Sequence, residues 1–184
     1  MTSTSEPLSP HTSECSLVRH LFAPYLDPAT HPYVLEMGAG GDLTVPHALA
    51  FDMPSPYTNV GGSKQFFKGD CGNLGFLCDE TIDGIATHHL LEDFSYTRLR
   101  QILTEWRRVL KTGGVICINC PDQQRYLAHC RATGQGINLG HCEPDFSVGK
   151  FKHLVVKTET GNWEILEQKD NIGSYSWIMV IKKV

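Results

Sequence analysis

Val34-Leu35-Glu36-Met37-Gly38-Ala39-Gly40-Gly41-Asp42 is the stretch that decides how this 184-residue chain folds. The apolar run from Tyr33 to Met37 has the length of a buried strand, and it breaks at a cluster of glycines. Glycine carries no Cβ, so a ligand can approach such a backbone closely, although an isolated cluster is equally an ordinary tight turn. A dinucleotide loop of the G-x-G-x-x-G kind starting at Gly38 wants glycine at position 43, which is Leu43, and a following helix whose N-terminus receives a pyrophosphate. Only Asp42 to Pro46 separates the glycines from the next apolar run, and Pro46 blocks helical continuation. The next acidic residue, Asp52, follows Gly40 by twelve residues, where the dinucleotide pattern wants about 20. A nicotinamide dinucleotide fits this loop badly.

Working outward, apolar runs recur with polar or glycine stops. Ala48 to Phe51 ends at Asp52, Gln65 to Lys68 at Gly69-Asp70, and Ile82 to Thr87 at His88-His89. Leu99, Ile102, Leu103, Trp106 and Leu110 share one helical face, with Ser95 as its predicted cap and Gly113 or Gly114 as its predicted end. Val115 to Asn119 is rich in β-branched residues and reads as a buried strand closing at Cys120-Pro121-Asp122. Strands alternating with helices imply an α/β architecture around a mostly parallel sheet. At the carboxyl end, Trp163 to Glu167 and Tyr175 to Val184, separated by a turn over 169–174, predict an antiparallel hairpin. A short helix is predicted from Ser16 to Tyr25. Residues 1–14, rich in Ser, Thr and Pro, read as a flexible tail, which leaves 15–184 as a single domain. Between Gln123 and Lys152 no pattern is readable.

Carboxylates at the ends of the predicted strands indicate the ligand. Glu36 and Asp42 flank the glycines, Asp52 can take both hydroxyls of a ribose, and Asp70 can accept from an exocyclic amine. A ligand with a sugar diol, an adenine and a cationic amino-acid tail but no phosphate is S-adenosylmethionine.

The chain here resembles the class I S-adenosylmethionine-dependent methyltransferases, in particular their methyltransferase type 11 branch in a short form. Val34 to Gly41 is similar to the first motif of that family, Asp52 to the acid ending its second strand, and Gly69-Asp70-Cys71-Gly72-Asn73-Leu74 to its adenine-side loop. Thr81 to Phe94 resembles its segment around the end of the fourth strand, and Trp106 to Gly114 its turn from helix into fifth strand. These five pieces lie in register over about half the chain. The resemblance implies a Rossmann-like seven-stranded sheet in the order 3-2-1-4-5-7-6, with strand 7 antiparallel, helices on its flanks and the first crossover helix reduced. It implies S-adenosylmethionine as cofactor, held by Glu36, Gly38, Ala39, Gly40, Asp52, Asp70, Cys71 and His88. Asp42 stands where the family has its third glycine, and Asp93 where it usually has a histidine; the earlier family histidine is matched by His89.

Transfer of an activated methyl asks mainly for alignment, plus a base when the acceptor is a hydroxyl. His89 is the candidate base, with His88, Asp93 and Asp122 as neighbours; a backbone anchor is the alternative role for that ring. The expected acceptor is a small molecule or glycan, methylated at oxygen. The alternative is a cofactor-binding or scaffold protein of the same fold without turnover, motivated by Asp42 and the short crossover. Sixteen Lys and Arg against twenty Asp and Glu, a formal net charge of −4, argue against nucleic acid as partner. No apolar run exceeds the five residues Trp177 to Ile181, so no membrane span is expected. Seven cysteines, an odd number, fit a reducing, cytoplasmic setting. Cys117 and Cys120, three apart on a strand, point to opposite faces, so no metal is expected there. The oligomeric state is not legible.

Overall fold

The alternating runs assemble into one seven-stranded sheet, seen in a computed structural model that describes residues 10–54, 66–157 and 161–184. The strands are β1 (Val34–Met37), β2 (Leu49–Asp52), β3 (Phe67–Lys68), β4 (Ile82–His88), β5 (Leu110–Pro121), β6 (Trp163–Ile172) and β7 (Ser176–Lys183). Their spatial order is β3-β2-β1-β4-β5-β7-β6, as expected. The first five run parallel, while β7 is antiparallel to both β5 and β6. Parallel strands buried on both faces carry little polar alternation, and β1 is buried at every position.

The pleat sends alternate residues of the central strands into two cores. Leu35, Ile85, Ile116, Ile118 and Met179 enter one, Val34, Ala86, Val115, Cys117 and Val180 the other. Cys117 and Cys120 accordingly lie in different clusters. The first core is covered by α2 (Tyr96–Val109), whose Leu99, Ile102, Leu103, Trp106 and Val109 are all buried, each worth roughly 1.5–3 kcal/mol as an upper bound. Ser95 caps this helix, accepting from the Arg98 amide. The helix ends at Val109 rather than at Gly113, because β5 begins already at Leu110 and carries both glycines within it.

The second core is covered by α1 (Pro10–Phe22), through Val18 and Phe22, with Leu26 following. This helix starts well before the expected Ser16, so residues 10–14 of the segment read as tail are helical; residues 1–9 lie outside the described residues. The unreadable stretch after β5 holds α3 (Gln123–Thr133), capped by Asp122 and ended by Gly134 in the left-handed conformation, and α4 (Val148–Lys157). Residues 38–48, between β1 and β2, hold no helix. Among the described residues no helix is long and apolar enough to cross a membrane.

Candidate active site

At the carboxyl ends of β1 to β4 a cavity of about 1020 Å³ opens, where ligands gather in parallel sheets. Its floor is the glycine loop. Gly38 has φ +70°, and a Cβ there would stand 2.9 Å from Leu90 Cδ1, so position 38 needs glycine for both its backbone and its contact. The Gly38 amide donates to the Phe51 carbonyl at 2.8 Å. Asp52 then organises the turn from beneath: its Oδ2 accepts from the Gly40 amide at 2.8 Å and its Oδ1 from the Met53 amide at 2.7 Å.

Glu36 explains how the chain returns without a crossover helix. Its carboxylate is 1% exposed and accepts from the Thr44 amide and hydroxyl and from the Val45 amide, at 2.7 to 2.9 Å. Burial pushes this carboxyl up to about 7 against those bonds, which pull the other way. Glu36 is not among the residues lining the cavity, unlike the other expected cofactor residues; it holds the loop's far end against β1. From above, α1 grips the same loop. Arg19 Nη2 donates to the Leu43 carbonyl at 2.6 Å and lies 3.5 Å from Asp42 Oδ1, while the Cys15 thiol approaches the Asp42 carbonyl.

The other expected cofactor residues, Gly38, Ala39, Gly40, Asp52, Asp70, Cys71 and His88, all line the cavity. Asp70 is half exposed, accepts from the Gly72 amide at 2.8 Å and is ion-paired with Arg98. Cys71 is positioned through its carbonyl, which accepts from the Trp106 indole at 2.8 Å, and burial pushes its thiol up to about 12. His88 Nδ1 lies 2.8 Å from Asn119 Oδ1, and the Asn119 amide nitrogen donates to the Trp177 carbonyl. The latter bond orients the amide, so His88 Nδ1 carries the proton.

His89 differs from expectation. Its Nδ1 is 3.1 Å from Glu92 Oε1 and its Nε2 3.2 Å from Glu14 Oε1, so a carboxylate stands at each ring nitrogen. Burial alone would lower its pKa, but the bonds and charges of Glu14 and Glu92 prevail and push it up to about 10. Glu14 is reciprocally lowered: burial raises it, yet the His89 and Ser176 contacts bring it to about 2. As an imidazolium with both nitrogens engaged, His89 has no lone pair with which to accept a proton. With a carboxylate at each nitrogen, His89 joins α1, β4 and the short 3-10 turn Leu91–Asp93, a placement that fits the anchor alternative better than the expected base.

Several cavity residues carried no sequence signal. Cys15 comes from α1, and Tyr126, Asn138 and His141 come from the stretch without a readable pattern. Tyr175 sits at the tip of the β6–β7 turn. The Asp122 cap and Gly134 stop were available as signs of α3, but nothing local marked its cavity-facing side. Among the described residues no group of His, Cys, Asp and Glu is arranged to hold a metal ion, and all seven cysteines are thiols.

The cavity suits the cofactor that the loop was read for. Positive-φ glycines keep the floor bare, Asp52 offers acceptor oxygens for a diol, and residues 38–48 hold no helix whose N-terminus could receive a phosphate. Comparison with known proteins agrees. Residues 35–118 match the family described as "Methyltransferase domain". Among curated proteins none matches the sequence. Among solved structures, the PH0226 protein from Pyrococcus horikoshii superposes with a TM-score of 0.73 at 17% identity, over 96% of this chain and 92% of the other. A SAM-dependent methyltransferase from Archaeoglobus fulgidus gives 0.64 at 17% identity, over 92% and 94%. One from Aquifex aeolicus gives 0.64 at 14%, over 96% and 94%. Likeness at these identities concerns the fold, whereas the matched segment contains the glycine loop, Asp52, Asp70 and the β4 end. That segment resembles the methyltransferase domain, and the sheet has the strand order of the class I S-adenosylmethionine-dependent methyltransferase fold.

Proposed function

We propose that the protein transfers the methyl group of S-adenosylmethionine to an oxygen of a small hydroxylated acceptor, sugar-type molecules included. The supporting observation is the make-up of the cavity wall beyond the glycine loop. Tyr126, Asn138, His141, Tyr175, Glu92 and Asp93 line it together, a mixture of aromatic faces, amide and carboxylates suited to a polyhydroxylated ring. Burial and Glu14 push the Tyr175 phenol up to about 12, so it stays protonated and able to donate. We take residues 15–184 to act as one unit, and the seven thiols to fit a cytoplasmic setting.

The cofactor brings a methyl already activated as a sulfonium, and the chain's own residues do the rest. Asp52 receives the ribose hydroxyls while holding Gly40 in place. Asp70, steadied by Arg98, stands on the adenine side with Cys71. Gly38, Ala39 and Gly40 leave room for the methionine tail, and Leu90 and Phe94 help keep water from the reacting end. His88, fixed by Asn119, forms the wall at the end of β4.

Calorimetric titration with S-adenosylhomocysteine, then incubation with S-adenosylmethionine and a panel of monosaccharides, polyols and phenols, tests this reading. Binding of S-adenosylhomocysteine but not of NAD or ATP, and a methyl ether product, are expected. Equal stabilisation by NAD, or methylation confined to nitrogen or carbon, would overturn it; cofactor binding without any product would mark a binding protein of the same fold.

A further inference from the structure

A hydroxyl acceptor must lose a proton as it attacks, and His89 has no lone pair to receive it. We propose that His141, oriented by Gln123, is the group that takes this proton; the assignment rests on the hydroxyl-acceptor reading above.

His141 lines the cavity, and its Nδ1 lies 2.6 Å from Gln123 Oε1. An amide oxygen only accepts, so Nδ1 carries the proton and Nε2 keeps the lone pair. Gln123 is itself 6% exposed, and its amide nitrogen in the backbone donates to the Phe146 carbonyl at 2.9 Å, which fixes the start of α3. The loop carrying His141 is tied on both sides. The Asn138 amide donates to the Tyr126 hydroxyl at 2.7 Å, and the Cys142 amide to the Glu92 carbonyl at 2.9 Å. The His141 ring packs on the Tyr126 ring with centroids 4.8 Å apart. A side chain held at this many points keeps its orientation before any acceptor arrives, as a base should.

Burial, more than the charges around it, favours the neutral ring. Burial disfavours its protonated form and so does the nearby His89 cation; Glu92 and Asp93 on the 3-10 turn favour it, and the balance is a lowered pKa. Tyr126, on α3, is raised by burial and is uncharged. The two histidines thus divide the work: His89 is clamped as a cation, and its charge helps to keep His141 unprotonated.

In the step itself the acceptor O–H gives its proton to His141 Nε2 as the oxygen bonds to the methyl carbon. The electron pair of the breaking carbon–sulfur bond stays on sulfur, which becomes a neutral thioether, and the imidazolium later releases the proton to solvent.

The test starts on the full chain saturated with S-adenosylhomocysteine and needs no acceptor. Histidine-labelled protein is followed by long-range ¹H–¹⁵N correlation across pH, with His141→Gln for assignment. His141 is expected as the neutral Nδ1–H tautomer at pH 7, with its midpoint below the ordinary value of about 6.5. Gln123→Glu, which places a carboxylate at Nδ1, should raise that midpoint by about one unit or more. A cationic His141 at neutral pH, or a proton on Nε2, would overturn the proposal. Turnover supplies the second arm. With a hydroxyl acceptor from the panel, His141→Ala should lose about 10²- to 10⁴-fold in rate with unchanged S-adenosylhomocysteine affinity, and Gln123→Glu should move the acid limb of the pH–rate profile upward. An acceptor methylated as fast by His141→Ala refutes this assignment alone. If no hydroxylated compound is methylated at all, the acceptor reading falls and takes this one with it.

Discussion

Removing the imidazole of His89 takes the opposite charge from two carboxylates, Glu92 at 2% side-chain exposure and Glu14 at 16%. With an effective dielectric constant of about 20, each contact at 3.1–3.2 Å is worth about 5 kcal/mol of gross attraction. Desolvation of the three ions offsets much of that, so the net worth of the cluster is small, while the cost of breaking it is large. Truncating one member of a buried pair costs about 3–5 kcal/mol, because the remaining charge stays buried without its partner. His89→Ala should therefore lower stability by that amount, a fall in Tm of roughly 6–20 °C for a chain of this length. The cleaner measurement is the cycle of Glu14→Gln, His89→Gln and the double variant, followed by urea unfolding with tryptophan fluorescence. A coupling of about 2–3 kcal/mol is expected near neutral pH, and one under about 0.5 kcal/mol would refute the charged clamp. The pH dependence follows from the directions of the shifts. The His89 pKa is raised, so its contribution is full below about 6.5 and is lost as the pH climbs through about 10. The Glu14 pKa is lowered, so its share is full above about 4.5 and is lost as the pH falls through about 2. The coupling should thus be greatest between about 4.5 and 6.5 and shrink steadily in alkali. A coupling that grew toward pH 10 would contradict the assignment.

Asp52→Ala should weaken S-adenosylhomocysteine binding by about 1.5–3 kcal/mol, roughly 10- to 150-fold in Kd by calorimetry, since both the diol contact and the hold on Gly40 are lost; Asp70→Asn should lose less, because an amide oxygen still accepts. Gly38→Ala should cost about 2–3 kcal/mol in urea unfolding, combining the left-handed backbone with the Leu90 clash, and should weaken cofactor binding as well. Glu36→Ala leaves buried donors at Thr44 and Val45 without their acceptor and should cost about 3–5 kcal/mol, an effect on stability far larger than that expected of a cofactor contact on the surface. Thiol counting under denaturing conditions should give seven, with no stoichiometric zinc by elemental analysis; about one metal per chain would overturn the reading of Cys117 and Cys120.

What could be read from the sequence divides along the range of the interactions involved. The strands and the glycine loop were legible because they rest on local composition, whereas the strand order came from the resemblance to a known family: Val34–Met37 is apolar but for Glu36, Pro46 forbids a helix, and the Leu99–Trp106 stripe repeats at helical spacing. The clamp on His89 was not, because Glu14 lies 75 residues away in the chain and sits among Ser, Thr and Pro residues that resemble a tail. Nothing in His88-His89 by itself tells a base from a cation; the difference is made by which carboxylates other elements bring to the ring. Glu36 shows the same limit in reverse. Its place beside the glycines marks it as part of the site, yet three donors from residues 44 and 45 turn its carboxylate away from the cavity, and only the folded loop shows where those donors end up. The short crossover ties these observations together. With no helix between β1 and β2, the loop cannot be braced by its own continuation, and it is braced by Glu36 below and by Arg19 and Cys15 of α1 above. The N-terminal helix is thereby drawn over the cavity, which brings Glu14 within reach of His89. The helix that braces the loop through Arg19 and Cys15 is thus the same one that carries the carboxylate facing His89.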